Sequence, residues 1–221
     1  MRGVTAISYH HGHLREALVD AAVEAVREKG PEDWSLRDLC RRVGVSHNAA
    51  YRHFAHRDEL VAAVSGLTMR RLVEALEERL ATVTADDPVL RARRRLAEIG
   101  RGYVAFALAE PHLFRLAFRS TAVTALSPSP ERDPYGVLSR ALDDLVDVGY
   151  LAASVRPGAE MTCWSGVHGF AILSLEGPLR DIGEAERHAA LDDILVAIDR
   201  SYAATTGAVI SPDDLRAGPS A

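Results

Sequence analysis

The residues that decide the fold read Leu36-Arg-Asp-Leu-Cys-Arg-Arg-Val-Gly-Val-Ser-His-Asn-Ala-Ala-Tyr-Arg-His-Phe54. Before Gly44, apolar residues recur at three- and four-residue steps, a spacing that predicts a short amphipathic helix. Gly44 suits a tight turn, because glycine adopts left-handed backbone angles without a steric cost. Ser46 is a favourable N-cap for a further short helix that reaches about Phe54. Two short helices around a glycine-containing turn predict a helix-turn-helix unit.

The second helix of this unit carries polar residues near its N-terminus. We expect three apolar residues to hold it against the other helices: Val45, Ala50 and Phe54. Four residues are then left on its outward face: His47, Asn48, Ala49 and Arg52. An α-helix fits the major groove of B-DNA, and its first residues reach the base edges. There asparagine pairs with adenine, arginine pairs with guanine, and alanine allows close approach to a thymine methyl group.

Further polar side chains around the unit can hold the DNA backbone. Phosphate contacts are predicted for Ser35, Tyr51, His53 and Arg57, the last at the start of the next helix. Arg37 and Ser46 complete the candidate DNA-binding set. The alternative is a plain helical hairpin whose polar residues are only solvated.

Helical periodicity continues along nearly the whole chain, and no run of alternating β-branched residues predicts a sheet. Glycine and proline mark the helix ends, as at Gly30-Pro31, Pro88, Pro111 and Gly177-Pro178. The pattern predicts an all-α protein of nine helices, with the proline-rich stretch 127–134 as the clearest loop. The expected helices run up to residue 30 and over 36–43, 46–54, 57–80, 88–109, 112–118, 135–151, 157–175 and 184–205.

Composition and charge indicate two parts with different tasks. Of the 221 residues, 48% are hydrophobic and 26% are charged, as in an ordinary globular protein. The first 72 residues carry 11 basic and 9 acidic residues, whereas the rest carry 15 basic and 22 acidic ones. No apolar stretch approaches the roughly 20 residues of a membrane span, and the N-terminus lacks the apolar core of a secretory signal. We therefore expect a cytoplasmic protein without a membrane partner.

Enzymatic, metal and cofactor sites find little support in the sequence. Cys163-Trp-Ser-Gly-Val167 is not the Gly-x-Ser-x-Gly nucleophile elbow, since its first position is Cys. No HExxH motif, P-loop or dinucleotide fingerprint occurs. His10, His11 and His13 lack a nearby acid or Cys, so a DNA-binding or disordered arm is favoured over a metal site. We expect no enzyme, no metal and no cofactor.

Residues Leu14 to Leu60 resemble the N-terminal domain of TetR/AcrR-type transcriptional regulators. The resemblance is carried by the strings Leu36–Ser46, Ala50-Tyr-Arg-His-Phe54 and Arg57-Asp-Glu-Leu60. The family often has Lys where Arg57 stands, which keeps a positive charge at the phosphate backbone. Further along, Pro111-His-Leu-Phe-Arg-Leu-Ala-Phe118 and Trp164-Ser-Gly-Val-His-Gly169 are similar to a TetR subgroup with a Trp-x-x-x-His-Gly string in its C-terminal domain.

This resemblance implies a homodimer of nine-helix TetR-like architecture that binds a pseudo-palindromic operator in double-stranded DNA. Such proteins are usually repressors that a small ligand releases. The implied organisation is a DNA-binding domain at 1–60, a ligand-binding and dimerisation domain at 61–210 and a frayed tail at 211–221.

The resemblance also implies a ligand cavity among four helices of the second domain. The candidate lining residues are Tyr103, Phe106, Phe114, Phe118, Leu142, Trp164 and His168. Because most of them are apolar or aromatic, they favour an unidentified apolar or aromatic ligand. Arg119 could neutralise an anionic group if it turns inward. The alternative is a regulator that answers to a protein partner, in which these side chains only fill the core.

A homodimer is also expected on physical grounds, because one recognition helix reads too few bases for useful specificity. Helices eight and nine from two copies could pack as a four-helix bundle across a two-fold axis. The candidate interface residues are Gly166, Gly169, Leu191, Ile194, Leu195 and Ile198. The alternative is that this stripe is covered within one chain.

Overall fold

The computed structural model describes residues 13–119 and 133–203. These residues form nine α-helices and no strand, which confirms the predicted all-α fold. The helices are α1 (Leu14–Lys29), α2 (Leu36–Val43), α3 (His47–Tyr51), α4 (Arg57–Ala81), α5 (Pro88–Ala109), α6 (Pro111–Arg119), α7 (Pro134–Asp147), α8 (Ala159–Glu176) and α9 (Glu184–Tyr202). None of these helices combines the length and the apolar character that crossing a membrane requires.

Local interactions set the bounds of α2 and α3. The Ser35 hydroxyl oxygen accepts a hydrogen bond of 3.2 Å from the Asp38 amide and caps α2. At the other end, Gly44 has a φ of 76°, the left-handed conformation that the tight turn requires. Ser46 Oγ then accepts a hydrogen bond of 3.3 Å from the Ala49 amide and caps α3. Two serine caps and one glycine turn thus form the predicted helix-turn-helix.

Glycine conformations shift two of the predicted helix ends. α7 ends at Asp147 rather than at residue 151, because Gly149 follows with a φ of 73°. α8 begins at Ala159 rather than at residue 157, because Gly158 precedes it with a φ of 81°. Some expectations lie outside the described residues: those for His10 and His11, for the proline-rich stretch up to residue 132, for the last residues of the ninth helix and for the tail at 211–221.

Two apolar cores divide inside α4. The first core joins α1, α2 and α3 to the start of α4, where Leu60 and Val64 are fully buried. The second core begins on α4 at Leu72 and includes residues of α5, α7, α8 and α9. The predicted domain boundary at residue 60 therefore falls within a continuous helix of 25 residues.

α6 contributes to both cores. Leu113 and Leu116 pack in the first core together with residues of α1 to α4. Phe114, between them in sequence, is fully buried in the second core. This short helix therefore cannot shift without disturbing the packing of both parts.

Polar contacts fasten the start of α6 to the end of α1. His112 Nδ1 lies 3.1 Å from the carbonyl oxygens of Val26 and Arg27. Arg27 also forms an ion pair with Glu110, with its Nε donating to one carboxylate oxygen at 3.0 Å. The pairing raises the pKa of the Arg27 guanidinium above its usual range, chiefly through the hydrogen bond to Glu110. α1 and the α5–α6 corner are thus held together by both polar and apolar contacts.

Candidate nucleic-acid interface and ligand cavity

The residues that hold α3 in place are buried, whereas its first turn faces solvent. Ala50 is fully buried and Phe54 is 1% exposed, and both pack in the first core. His47 and Asn48 are exposed and Ala49 is partly exposed. The structure therefore places together three of the four side chains that the sequence assigns to the base edges, at the N-terminus of a helix anchored from behind, whereas Arg52 lies beyond the end of the helix.

Three further candidate residues follow on the same surface. α3 ends at Tyr51 rather than near Phe54, and the Phe54 amide donates to the Ala50 carbonyl at 3.0 Å as the chain turns away. Tyr51 is 47% exposed. Arg52 and His53 lie in the turn and are exposed as well. They flank the first turn of α3 instead of continuing its helical face.

Two of the predicted phosphate-contacting side chains already have partners within the protein. Ser35 Oγ donates to an Asp38 carboxylate oxygen at 2.6 Å, which lowers the pKa of Asp38. Arg57 donates from Nη2 to the Pro31 carbonyl at 2.9 Å, and its guanidinium carbon lies 4.3 Å from the centroid of the Trp34 ring. These contacts orient the α1–α2 connection, so any phosphate contact from either residue is additional to a structural role.

The remaining basic residues of this region differ in how far they are neutralised. Arg41 and Arg42 are each paired with a carboxylate. Arg37 and Arg52 are exposed, and no carboxylate lies within salt-bridge distance of either among the described residues. Positive charge that is not already balanced therefore lies next to α3, where it can attract phosphate.

A cavity of about 840 Å³ lies in the second part of the molecule, bordered by helices α4 to α9. Its wall is largely apolar and includes Leu96, Leu138, Val167 and Ile198. A volume of this size is typical of sites for small organic molecules.

Hydrogen bonds order the aromatic side of this cavity. Trp164 Nε1 donates to Tyr103 Oη at 3.2 Å, and Tyr103 Oη lies 2.8 Å from His168 Nδ1. Burial lowers the pKa of His168, so its ring is neutral at neutral pH and its Nδ1 can accept a hydrogen bond from the Tyr103 hydroxyl. Burial also raises the pKa of Tyr103 above its usual range, which keeps the phenol protonated. The Tyr103 hydroxyl therefore links the indole of Trp164 to the imidazole of His168.

The predicted ligand-binding residues divide between the wall and the core. Tyr103, Phe118 and Trp164 line the cavity. Phe114 and Leu142 are fully buried in the second core and do not line the cavity, and the lining also leaves out the partly buried Phe106 and His168. Arg119 does not turn inward, the orientation that the sequence left open, because it is exposed and lies 3.0 Å from Glu32 of the first part.

The candidate lining residues predicted from the sequence include none from α4, although this helix forms one wall of the cavity. Ser65, Gly66, Met69 and Arg70 line the cavity together from one face of that helix. Ser65 precedes Met69 and Gly66 precedes Arg70 by four residues each, and this repeat at the helical period is the signal that could have found them.

The leucines of the predicted dimer stripe pack inside the protomer. Leu191 is 4% exposed and Leu195 is 8% exposed, and both belong to the second core. A Cβ atom at Gly100 would lie 2.5 Å from Leu195 Cδ2, so the missing side chain makes room for this leucine. The alternative left open by the sequence, a stripe covered within one chain, therefore describes these two residues.

The other predicted interface residues lie nearer the surface. Ile194 and Ile198 are partly buried, and both approach Gly166, where a Cβ atom would lie 3.2 Å from Ile198 Cδ1. A Cβ atom at Gly169 would meet no described atom within 4 Å. The large apolar residues exposed on these two helices are instead Met161, Leu173 and Val196.

The described residues include no cluster of three or more His, Cys, Asp or Glu side chains suited to a metal ion. His13 does have an acid beside it, contrary to the expectation from the sequence, since its Nδ1 lies 2.9 Å from a Glu16 carboxylate oxygen. Cys163 is buried, and burial raises the pKa of its thiol. A raised pKa keeps the thiol protonated and unreactive.

Two family models match the chain. The model for bacterial regulatory proteins of the tetR family matches residues 18–64, and the model for the tetracyclin repressor-like C-terminal domain matches residues 96–198. Together the two matches cover more than half of the chain. The chain belongs to the TetR family. TetR regulators are transcription factors rather than enzymes, and they bind operator DNA and act as dimers.

Relatives support this membership to different extents. The HTH-type transcriptional regulator BetI of Yersinia pestis is 32% identical over 88 residues, which cover 40% of this chain and 42% of that protein. The match thus spans less than half the length of this curated relative. A solved protein from Rhodococcus sp. RHA1 is 27% identical, with a TM-score of 0.67 over 88% of this chain and 96% of that one. A TetR-family regulator from Pectobacterium atrosepticum is 23% identical, with a TM-score of 0.61 at the same coverage, and shows the shared fold.

Proposed function

We propose that this TetR protein is a transcriptional repressor that binds a pseudo-palindromic operator as a homodimer and leaves it when an apolar ligand fills the cavity. The observation that carries the proposal is the exposed first turn of α3, held from behind by the buried Ala50 and Phe54. A helix anchored in this way enters the major groove without losing its own packing. As a regulator of transcription, the protein would act in the cytoplasm, where the bacterial chromosome lies.

The roles on the DNA follow from side-chain chemistry and exposure. His47, Asn48 and Ala49 contact base edges, since the first residues of a recognition helix reach deepest into the groove. Tyr51 and Arg52, at the end of α3, contact the flanking backbone or an adjacent base. Arg37 and His53 add phosphate contacts from either side.

Ligand control is supported by the way the cavity meets the first core. Phe118 lines the cavity from α6, and the same helix places Leu113 and Leu116 in the core of the DNA-binding part. α4 runs without interruption from Arg57, beside the helix-turn-helix, to the cavity wall. A ligand that favours one position of these helices would change the spacing of the two recognition helices in a dimer. The cavity favours a small molecule over a protein partner as the regulatory signal.

Operator binding tests the DNA-binding assignment. The operator is first selected from random duplexes with the full chain, and its affinity is measured by fluorescence anisotropy. The double variant Tyr51→Ala, Arg52→Ala should weaken binding by about 1–3 kcal/mol for each truncated side chain, or roughly tenfold or more in total. Arg180→Ala, an exposed arginine of the second part, is the matched control. Equal affinity of the double variant and the wild type at equal salt would refute the assignment.

A further inference from the structure

One buried polar group on the cavity wall has no hydrogen-bond partner in the described part of the chain. Ser65 is 1% exposed, it lines the cavity, and its hydroxyl makes no hydrogen bond to the described residues. A buried hydroxyl left without a partner costs about 1–3 kcal/mol, so a ligand atom that bonds to it is favoured.

A guanidinium group on the same helix also borders the cavity, five residues beyond Ser65, and it is exposed. Arg70 also lines the cavity, and its Nη1 lies 3.8 Å from the position that a Cβ atom at Gly66 would occupy. The arginine side chain is therefore folded back along α4, over the glycine that follows Ser65. Gly66, which has no side chain, lies between these two residues in the sequence and also lines the cavity.

Arg70 differs from the other arginines of the cavity wall. Arg93 is paired with Asp199, Arg101 is paired with Asp192, and Arg94 donates to a backbone carbonyl. Within the described ranges, no carboxylate lies within 4.0 Å of the Arg70 guanidinium. Positive charge at Arg70 is thus available to a ligand.

The acidic residues of the wall offer little to a cation. Asp199 is held by Arg93, and that pairing lowers its pKa. Asp133 is engaged as the N-cap of α7, where its carboxylate accepts from the Tyr135 amide at 3.1 Å. The rest of the wall is mainly apolar, and its tyrosine and tryptophan polar atoms are bonded to each other.

We propose that the cavity selects an apolar molecule ending in a single carboxylate, which binds to Arg70 and to the Ser65 hydroxyl across Gly66. The inference rests on the proposed function, because it names the chemical class of the ligand that controls the repressor. Arginine and a hydroxyl can both donate to one carboxylate, and a bidentate arginine pair is the stronger of such contacts. The apolar body of the ligand lies against Phe118 and Trp164.

The test compares three headgroups on one tail. Dodecanoate, dodecanol and dodecyltrimethylammonium are titrated into the full chain by isothermal titration calorimetry, the two ionic compounds below their micelle concentrations and dodecanol below its solubility limit. Dodecanoate should bind at least about tenfold more tightly than either of the others, because only the carboxylate gains the charged hydrogen bonds. Equal affinity for the three compounds, tighter binding of the cation or binding of none of them would overturn the proposal.

Variants of the wall locate the headgroup. Arg70→Gln should weaken dodecanoate binding by about tenfold or more and leave dodecanol within about twofold. Ser65→Ala should have a smaller effect in the same direction. Arg180→Gln, which changes an exposed arginine outside the cavity, should change neither. Unchanged dodecanoate binding by Arg70→Gln, with the variant folded as judged by its thermal unfolding, would also overturn the proposal.

Operator affinity is measured separately, so that the two proposals fail in different ways. Carboxylate-selective binding that disappears in Arg70→Gln supports the ligand class whatever happens on DNA. If operator affinity then stays unchanged with saturating dodecanoate, ligand control of the repressor is refuted. If no compound binds but the operator does, the ligand class is refuted and the DNA-binding function stands.

Discussion

Leu173 on α8 offers the clearest test of how two copies of this protein associate. In the protomer its side chain is 45% exposed, so Leu173→Glu leaves the core intact and should change the unfolding free energy of an isolated protomer by less than about 0.5 kcal/mol. Leu195→Glu, by contrast, places a charge at a position that is 8% exposed. An unpaired buried charge costs more than about 3 kcal/mol, so that variant should unfold rather than simply dissociate.

The expected effect on the dimer follows from the exposed fraction. Full burial of a leucine contributes about 1.5–3 kcal/mol, and roughly half of that remains to be gained at Leu173 when a partner covers it. A two-fold axis brings two such leucines into the interface, so their removal costs about 1.5–3 kcal/mol in all. The glutamates add a desolvation cost. Self-association should therefore weaken by at least roughly tenfold to a hundredfold.

Sedimentation equilibrium measures this dissociation constant, and urea unfolding checks that the variant is folded. Operator affinity should fall together with dimerisation, because each half-site is then bound by a separate molecule. Glu186→Gln, exposed on α9 and without an ion pair among the described residues, is a surface control. A Leu173→Glu variant that is folded, fully dimeric and normal in operator binding would refute the reasoning.

Two further predictions concern a cap and a buried histidine. Ser46→Ala removes the acceptor for the Ala49 amide and should lower the unfolding free energy, measured in urea, by about 1 kcal/mol. Ser46→Thr should largely restore this stability. An unchanged urea midpoint in Ser46→Ala would contradict the role of Ser46 as the N-cap of α3. Because burial lowers the pKa of His168, the unfolded chain takes up a proton there that the folded chain resists. The unfolding free energy should thus fall as pH drops below about 6.5, and His168→Gln should make this fall shallower. Identical pH profiles for the variant and the wild type would show that protonation of His168 is not coupled to folding.

The helix-turn-helix could be predicted from sequence because its determinants are local. Ser35, Gly44 and Ser46 each act on residues within five positions of themselves. The exposure of His47 and Asn48 follows from the same short-range pattern. The C-terminal end of α3 was harder to predict from the sequence, because the apolar Phe54 packs in the first core although the helix has already ended at Tyr51.

The cavity and the dimer surface depend instead on contacts between distant residues. Nothing near Leu195 in the sequence shows that Gly100 lies opposite and leaves room for it. Apolar periodicity on α9 is the same whether the stripe meets α5 of its own chain or a second copy. Likewise, the sequence alone does not show that Ser65 and Gly66 of α4 border a cavity, because the packing of distant helices places them there.

The division of the two cores within α4 has a mechanical consequence. Arg70 on the cavity wall and Arg57 at the start of the helix are 13 residues apart, which corresponds to about 20 Å along the axis. A continuous helix transmits a tilt over this distance, so a few degrees at the cavity displace the helix start by about 1–2 Å. α6 adds a second link, because Leu113 lies in the first core and Phe118 lies on the cavity wall. In a dimer that must match two half-sites about 34 Å apart, displacements of this size on both protomers would add together, and under the proposed ligand control the loss of operator affinity is limited by how strongly the ligand prefers the tilted state.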